Sequence, residues 1–464
     1  MSVPYWVEDA VFYQIFPDRF ANGDLENDPP NLQAWGASPT TYSFQGGDLR
    51  GIIQKFDYLL DLGITAIYLN PIFFSTSNHR YNTTDYYRID PKLGDLTDFK
   101  ALLDVAHLHN VRVILDGVFN HCGRGFFAFN DLLENQQYSP YKDWFTVLGF
   151  PVYAYGPGDA QNYLAWWKLK SLPKFNTSNP QVRKYLLGVA RYWIEQGADG
   201  WRLDVPNEID DDSFWSEFRH TVKAVNPDAY LTGEIWDGSP RWVGDQHFDG
   251  LMNYPARDAL LGCLTGKILT AKFVDQVEGL LARYPRENVY AMYFTLGSHD
   301  TERVMTVLGN DLNKVKLAYL FQFSYPGVPA IYYGDEIGLE GGKDPDSRRA
   351  FPWDVTKWNS DLRSWIQKLI YLRRNTPALR RGDYLPVLKE ETRSCYVFGR
   401  RLGEETVLTA MNTGPTRRQL RLKIDKLGWK DGQIVRDLLG TQEFIVSGDT
   451  ISFELKSYSG MWLK

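Results

Sequence analysis

The chain has 464 residues, 44% of them hydrophobic and 23% charged, with a formal net charge of −6; it is long enough for one large domain plus one or two smaller ones, and its composition leaves little room for extensive disorder. No long basic run supports a nucleic-acid partner, and no apolar stretch or leader pattern supports a membrane partner or export. The widely spaced Cys122, Cys263 and Cys395 suit neither a disulfide framework nor a clustered metal site, and point to reduced thiols in a cytoplasm.

The first expected strand lies in AVFYQIFPDRF (10–20). After it, NGDLEND crowds Asn22, Asp24, Asn27 and Asp28 into a short turn, and GGD at 46–48 adds Gly46 and Asp48. Hard oxygen donors on irregular backbone suit Ca2+, and equally a solvated run of Asx turns. Next, Ile52, Phe56, Leu59 and Leu60 make a helical stripe that Gly63 can stop, followed by the apolar strand ITAIYLNP (64–71). Phe99, Leu102, Leu103 and Ala106 repeat the pattern, with Asn110 as the stop before VRVILDGVFNH (111–121). Val182, Leu186, Val189 and Trp193 repeat it again, with Gly197 before ADGWRLDVPNE (198–208). Further strands read as DAYLTGEIW, DGLMNYP, YAMYFTLGSHD and PAIYYGDEIGL.

Eight such units predict an α/β fold, a (β/α)8 TIM barrel whose site lies on loops after the strand carboxyl ends. Residues 1–121 and 179–378 form the barrel. The Gly/Pro/aromatic-rich stretch 122–178 is too long for a plain loop and reads as an inserted subdomain. Residues 379–464 carry short strands with turns between them (SCYVFGRR, ETVLTAMN, RRQLRLKI, EFIVSGD, TISFELK) and predict a β-sandwich.

Three strand ends carry acetal-cleaving chemistry, which needs a protonated carboxyl beside the leaving oxygen and an ionised one at the anomeric carbon. In GWRLD, Arg202 and Asp204 share a face, so the guanidinium favours an ionised nucleophile. In GEIW, Glu234 ends an apolar strand beside Trp236, a setting that favours a protonated acid. In GSHD, His299 and Asp300 can hold sugar hydroxyls. Each alone reads as well as a helix cap; three at one rim favour catalysis. Aromatic residues at 15% suit sugar stacking or core filling. Cys122 next to His121 has no partner at metal-ligand spacing and reads as a packing residue.

DGVFNH, GWRLDVPNE, GEIW and GSHD resemble, in order, the four diagnostic segments of the α-amylase family of glycoside hydrolases. The resemblance implies Asp204 as nucleophile, Glu234 as acid/base and Asp300 as transition-state stabiliser. It also implies that His79, Tyr81, Asp116, Asn120, His121, Arg202 and His299 line the subsite of the sugar under attack, and that Asp344 and Arg348 contact the next sugar. LPKFNTSNP (172–180), with Leu172 and Phe175 in place of the commoner Met and Leu, is similar to a segment of the neopullulanase, cyclomaltodextrinase and maltogenic amylase subgroup. So is Asn207-Glu208, where typical α-amylases have Lys-His; with Trp236 these residues face the acceptor side. The same likeness implies a structural calcium contacted by Gly46 and Asp48, and no organic cofactor. The subgroup usually carries an extra amino-terminal β-domain that helps form a dimer, whereas here the barrel begins at about residue 10, so monomer and homodimer are both open. The expected partner is an α-glucan: cyclodextrin, pullulan, starch or maltooligosaccharide. A transglycosylase using the same carboxylates, and a non-catalytic glucan-binding barrel, are the alternative readings.

Overall fold

The computed structural model describes residues 2–390 and 394–464. All eight expected strands form: β1 Phe12–Ile15, β2 Ala66–Leu69, β3 Arg112–Gly117, β4 Gly200–Leu203, β5 Tyr230–Gly233, β6 Gly250–Leu251, β7 Tyr293–Thr295 and β8 Val328–Tyr332. They run parallel in the order β6-β5-β4-β3-β2-β1-β8-β7. A parallel bridge between Met252 and Tyr293 closes the barrel.

Alternation along each strand decides what faces the axis. Phe12, Tyr68, Ile114, Tyr230, Tyr293 and Val328 pack in the inner core. Their neighbours Tyr13, Ile67, Leu69, Val113, Leu115, Trp201, Leu203 and Leu231 face the surrounding helices. The same parity turns Gln14, Asp116, Arg202, Asp204 and Glu234 inward, at the carboxyl end of the barrel. The register then pairs Asp116 with Arg202 across β3 and β4, and Arg202 with Thr232 across β4 and β5.

The helix Leu96–Leu108 opens with a reciprocal cap between Asp95 and Asp98 and buries Phe99, Leu102, Leu103 and Ala106. Helix Pro180–Glu195 buries Val182, Leu186, Val189 and Trp193. The expected stops Gly63, Asn110 and Gly197 have φ of 93°, 57° and 110°, the left-handed turn that ends a helix. The first stripe differs: it breaks at Lys55 into Leu49–Gln54 and Phe56–Leu62, and Leu60 is only half-buried. Asp48 caps the first piece while its carboxylate also accepts from Gly23 and Asp24, so that piece is aligned by the amino-terminal loop.

The segment between β3 and Pro180 is irregular but contains a helix, Phe127–Asn135, that its Gly/Pro content obscured. Phe126, Phe129, Phe145, Tyr163 and Phe175 form an aromatic core there. After helix Pro377–Arg381, strands Asp383–Glu390, Cys395–Leu402, Glu405–Asn412 and Ser459–Leu463 form an antiparallel sheet. The pair Arg418–Lys423 and Thr450–Leu455 shares its apolar core. Arg400 Nη1 to Ser324 O (2.6 Å) and Tyr290 OH to Gly382 O (2.6 Å) join this sheet domain to the barrel. Among the described residues no helix is long and apolar enough to cross a membrane.

Candidate active site

Arg202, almost fully buried, organises the barrel floor. Its Nη1 lies 2.8 Å from Asp116 Oδ1 and 3.0 Å from Asp204 Oδ1, both as hydrogen bonds. Its Nη2 lies 2.9 Å from Glu234 Oε2, close enough for strong attraction but not aligned as a hydrogen bond. Three carboxylates thus share one guanidinium. Burial pushes the Asp204 carboxyl well above the ordinary range; Arg202 opposes this, and Glu234, Asp116 and Asp300 add to it. The expected pull of Arg202 on Asp204 is therefore present but outweighed in the open cleft.

Glu234 is buried, as its apolar strand suggested, yet both its oxygens accept hydrogen bonds. Trp236 Nε1 donates to Oε1 (3.2 Å) and Val205 N to Oε2 (3.0 Å). Val205 holds φ 35° and ψ 52°, a left-handed conformation that a β-branched residue resists, directly after the proposed nucleophile. Trp236 stacks on Tyr254 at 3.7 Å with an interplanar angle of 6°, leaving its other side half-exposed.

The loop after β2 delivers His79 and Tyr81, and a directional network fixes them. Gln14 Nε2 donates to Asn70 Oδ1 and lies 3.0 Å from His299 Nδ1; Asn70 Nδ2 donates to Tyr81 OH (3.0 Å). Tyr81 OH donates to Asp116 Oδ2 (2.7 Å) and meets His299 Nε2 at 2.5 Å. His299 is therefore assigned as neutral with its proton on Nε2, a state burial also enforces. That Nε2 is also 3.0 Å from Asp300 Oδ2. Arg348 reaches Asp300 (3.3 Å), Asp344 (3.1 Å) and the carbonyl of His299 (3.0 Å). Burial raises Asp300 to about 7, with Glu234 adding and Arg348 opposing.

His79 and His121 are held down to about 3 by burial, so both stay neutral. Asn120 Nδ2 donates to His121 Nδ1 (3.1 Å), leaving His121 Nε2 and Asn120 Oδ1 buried without partners. A donor and an acceptor stand side by side, as a sugar's hydroxyls require. Two expected contacts lie apart from this cluster. Asn207 is exposed on the loop after β4, and Glu208 accepts from Lys174 Nζ at 3.0 Å, tying that loop to the inserted subdomain. Cys122 is buried with its thiol pushed up, as a packing residue would be. Gln14, Tyr68 and Asn70 were not anticipated; the polar Asn70 ending ITAIYLNP was the available signal.

In the amino-terminal loop, Asn22 Oδ1 and Asn27 Oδ1 are buried without partners. Asp28 Oδ1 accepts from Asn22 Nδ2 (2.9 Å), and Asp48 Oδ2 from Asn27 Nδ2 (3.3 Å). At Gly46, φ 82°, a Cβ would sit 2.3 Å from Asp28 Oδ1 and 2.6 Å from Asn22 Nδ2, so only glycine lets these groups converge. Unsatisfied hard oxygens with two carboxylates fit Ca2+. Asp24 does not join them: its oxygens take Glu26 N and Arg50 Nη1 (2.7 Å).

A closed parallel barrel with buried carboxylates and open hydrogen-bonding groups at its carboxyl rim has the parts that a glycoside hydrolase needs. The model of the α-amylase catalytic domain matches residues 14–381, and that of the maltogenic amylase C-terminal domain matches 385–462. A cyclomaltodextrinase of Geobacillus thermopakistaniensis is 44% identical, covering 98% of this chain and 77% of that protein. The cyclic α-maltosyl-(1→6)-maltose hydrolase of Arthrobacter globiformis, solved with that sugar, superposes with a TM-score of 0.89 at 39% identity, covering 98% of this chain and 100% of that one. The native debranching enzyme of Nostoc punctiforme gives 0.91 at 40%, covering 100% and 99%. The chain belongs to the α-amylase family of glycoside hydrolases, in the group of cyclomaltodextrinases, neopullulanases and maltogenic amylases.

Proposed function

We propose that the protein is a retaining hydrolase of α-1,4-glucosidic bonds that works through a covalent glycosyl-enzyme. The observation that carries this reading is the single Arg202 guanidinium contacted by Asp116, Asp204 and Glu234. Glu234 protonates the leaving oxygen while Asp204 attacks the anomeric carbon; Glu234 then takes a proton from water, which releases the sugar from Asp204. The first step needs the proton on Glu234 and not on Asp204. Because Arg202 touches both carboxylates, its charge stays beside whichever of the two is ionised. Asp300, with neutral His299, holds sugar hydroxyls whose polarisation grows in the oxocarbenium-like state. The names of the solved neighbours, a hydrolase of cyclic α-maltosyl-(1→6)-maltose and a debranching enzyme, favour glucans with α-1,6 beside α-1,4 bonds. The cyclomaltodextrinase and neopullulanase names of the relatives favour cyclodextrins and pullulan among cyclodextrins, pullulan, starch and maltooligosaccharides. The half-exposed Trp236 face offers an acceptor sugar a place to compete with water, which favours some transfer. The buried thiols of Cys122 and Cys263, which lie far apart in the sequence, support a cytoplasmic setting.

The register supports retention. Leu203 pairs with Gly233, so Asp204 and Glu234 are the next residues on adjacent strands, whose backbones lie about 4.8 Å apart, a spacing that suits two carboxyl groups flanking one anomeric carbon. An inverting pair would need roughly 6.5–9.5 Å to admit the attacking water. Proton NMR of the first products, recorded before mutarotation, is expected to show the α-anomer. Initial release of the β-anomer would overturn the nucleophile role of Asp204.

We further propose that Asn22, Asn27, Asp28, Gly46 and Asp48 hold a Ca2+ that pins the amino-terminal loop to the helix beginning at Leu49. Its contribution is to stability, as for any ligand that binds only the folded state. Chelation should lower the melting temperature by a few degrees, and Asp28→Ala should abolish stoichiometric calcium, whereas Asp24→Ala should retain it. Metal analysis after dialysis decides: calcium lost equally from both variants, or absent from the parent, rejects this ligand set.

A further inference from the structure

We propose that Trp167, on the inserted subdomain, is a second sugar-binding surface, stacking its outer face on a glucosyl unit beyond the one held between Asp204 and Glu234. The proposal rests on the α-glucan reading above.

Three aromatic rings form a ladder leading out of the cleft. Trp166 lies over His121 at 5.2 Å with an interplanar angle of 14°, and Trp167 lies over Trp166 at 4.5 Å and 11°. His121 is the innermost ring, the one whose free Nε2 was described above. Trp167 is the outermost and is 75% exposed; of the other tryptophans, only Trp35 and Trp236 are also exposed, and less so. One face of Trp167 is covered by Trp166, which leaves the opposite face open. A large apolar ring gains nothing from such a position through core packing.

The backbone makes the position costly. Trp167 has φ 47° and ψ 28°, and Lys168 follows with φ 59°, two consecutive bulky residues in the left-handed region. The turn is clamped by Lys168 N to Ala165 O (3.1 Å), Leu169 N to Trp166 O (2.9 Å) and Ala160 N to Lys168 O (2.8 Å). Below it, Trp166 N bonds Leu172 O, joining the turn to the segment whose Lys174 reaches Glu208. A strained turn held this firmly while displaying an aromatic ring to water is the pattern of a binding element. The chemistry that fits a flat, open indole is the apolar C–H face of a pyranose ring. Such a contact leaves the sugar's hydroxyls in water, which suits an exposed site. Because the ladder starts at His121, a chain occupying the cleft reaches Trp167 only if it extends beyond the sugars at the cleaved bond. The residue therefore acts on longer or cyclic glucans and leaves the shortest ones unaffected.

The test uses the full chain carrying Asp204→Asn, so that ligands are bound but not cleaved, with maltose and maltoheptaose titrated by calorimetry. Adding Trp167→Ala should weaken maltoheptaose about tenfold, as expected for loss of one stacking contact, and change maltose by less than about twofold. Trp167→Phe should keep most of the maltoheptaose affinity. Trp167→Gly should melt at or above the parent temperature, because glycine relieves the turn, yet bind maltoheptaose as poorly as Trp167→Ala. That separates stacking from support of the fold. Unchanged maltoheptaose affinity in Trp167→Ala, or equal losses for both sugars, overturns the platform while leaving the hydrolase reading intact. Failure of the Asp204→Asn parent to bind either sugar overturns the α-glucan reading itself, and the platform with it.

Discussion

Asp204→Asn and Glu234→Gln should each lower kcat/KM on an α-glucan by about 10²–10⁴-fold, while melting at or above the wild-type temperature. The activity loss follows from the roles: one residue forms the bond to the anomeric carbon, the other supplies and removes the proton. The preserved stability follows from the cluster. Asp116, Asp204 and Glu234 crowd one guanidinium, and burial already disfavours the charged form of Asp204. A neutral amide of the same shape removes a desolvated charge without opening a cavity. Steady-state kinetics and thermal melting on the two variants check both halves. A variant that keeps more than about a tenth of wild-type activity does not carry the assigned step, and one that melts far lower was holding the fold.

The barrel and the middle of the site were legible because period and polarity coincide there. Eight apolar runs ending in polar residues each contribute an inward side chain on alternate positions, so Asp116, Arg202, Asp204 and Glu234 could be placed on one rim by counting. What escaped depends on pairings between distant segments. Gln14 is a single polar residue in an apolar strand; its meaning appears only when β1 stands beside β2 and the loop carrying His299. Glu208 reads as an acceptor-side residue until Lys174, 34 positions earlier, is seen to hold it. Asp24 reads as a ligand until Arg50 takes its carboxylate. The donors to Glu234 escaped similarly, because one of them is the backbone N–H of Val205, and a left-handed valine is not visible in a sequence. The helix Phe127–Asn135 did have a signal, Phe126, Phe129 and Leu132 at helical spacing, masked by the glycines and prolines around it.

These pairings make the floor of the cleft an electrostatic unit with Arg202 as the only cation among the described residues in contact with Asp116, Asp204 and Glu234, so Arg202→Met should be the most damaging single change. It should abolish activity and, at pH 8, cost about 3–5 kcal/mol, the range for breaking a buried ion pair. The cost should depend on pH in a defined direction. In the folded chain burial raises Asp204, and it raises Asp300 to about 7, whereas an unfolded aspartate titrates near 3.9. Between about pH 4 and 7 the folded state therefore binds more protons than the unfolded one, and stability falls as pH rises through that window. Arg202 lowers both groups; without it their folded values rise further, and the window of declining stability extends upwards. Near pH 4, below the raised folded-state values of Asp204 and Asp300, both of these carboxyls carry protons in the folded chain. There Arg202 has less charge to balance, so the gap between the two proteins should narrow. Urea unfolding of wild type and Arg202→Met at pH 8 and near pH 4 reads the gap directly. A gap of the same size at both pH values would mean that Arg202 serves the fold by packing alone, and that the shared charge is not what holds Asp116, Asp204 and Glu234 together.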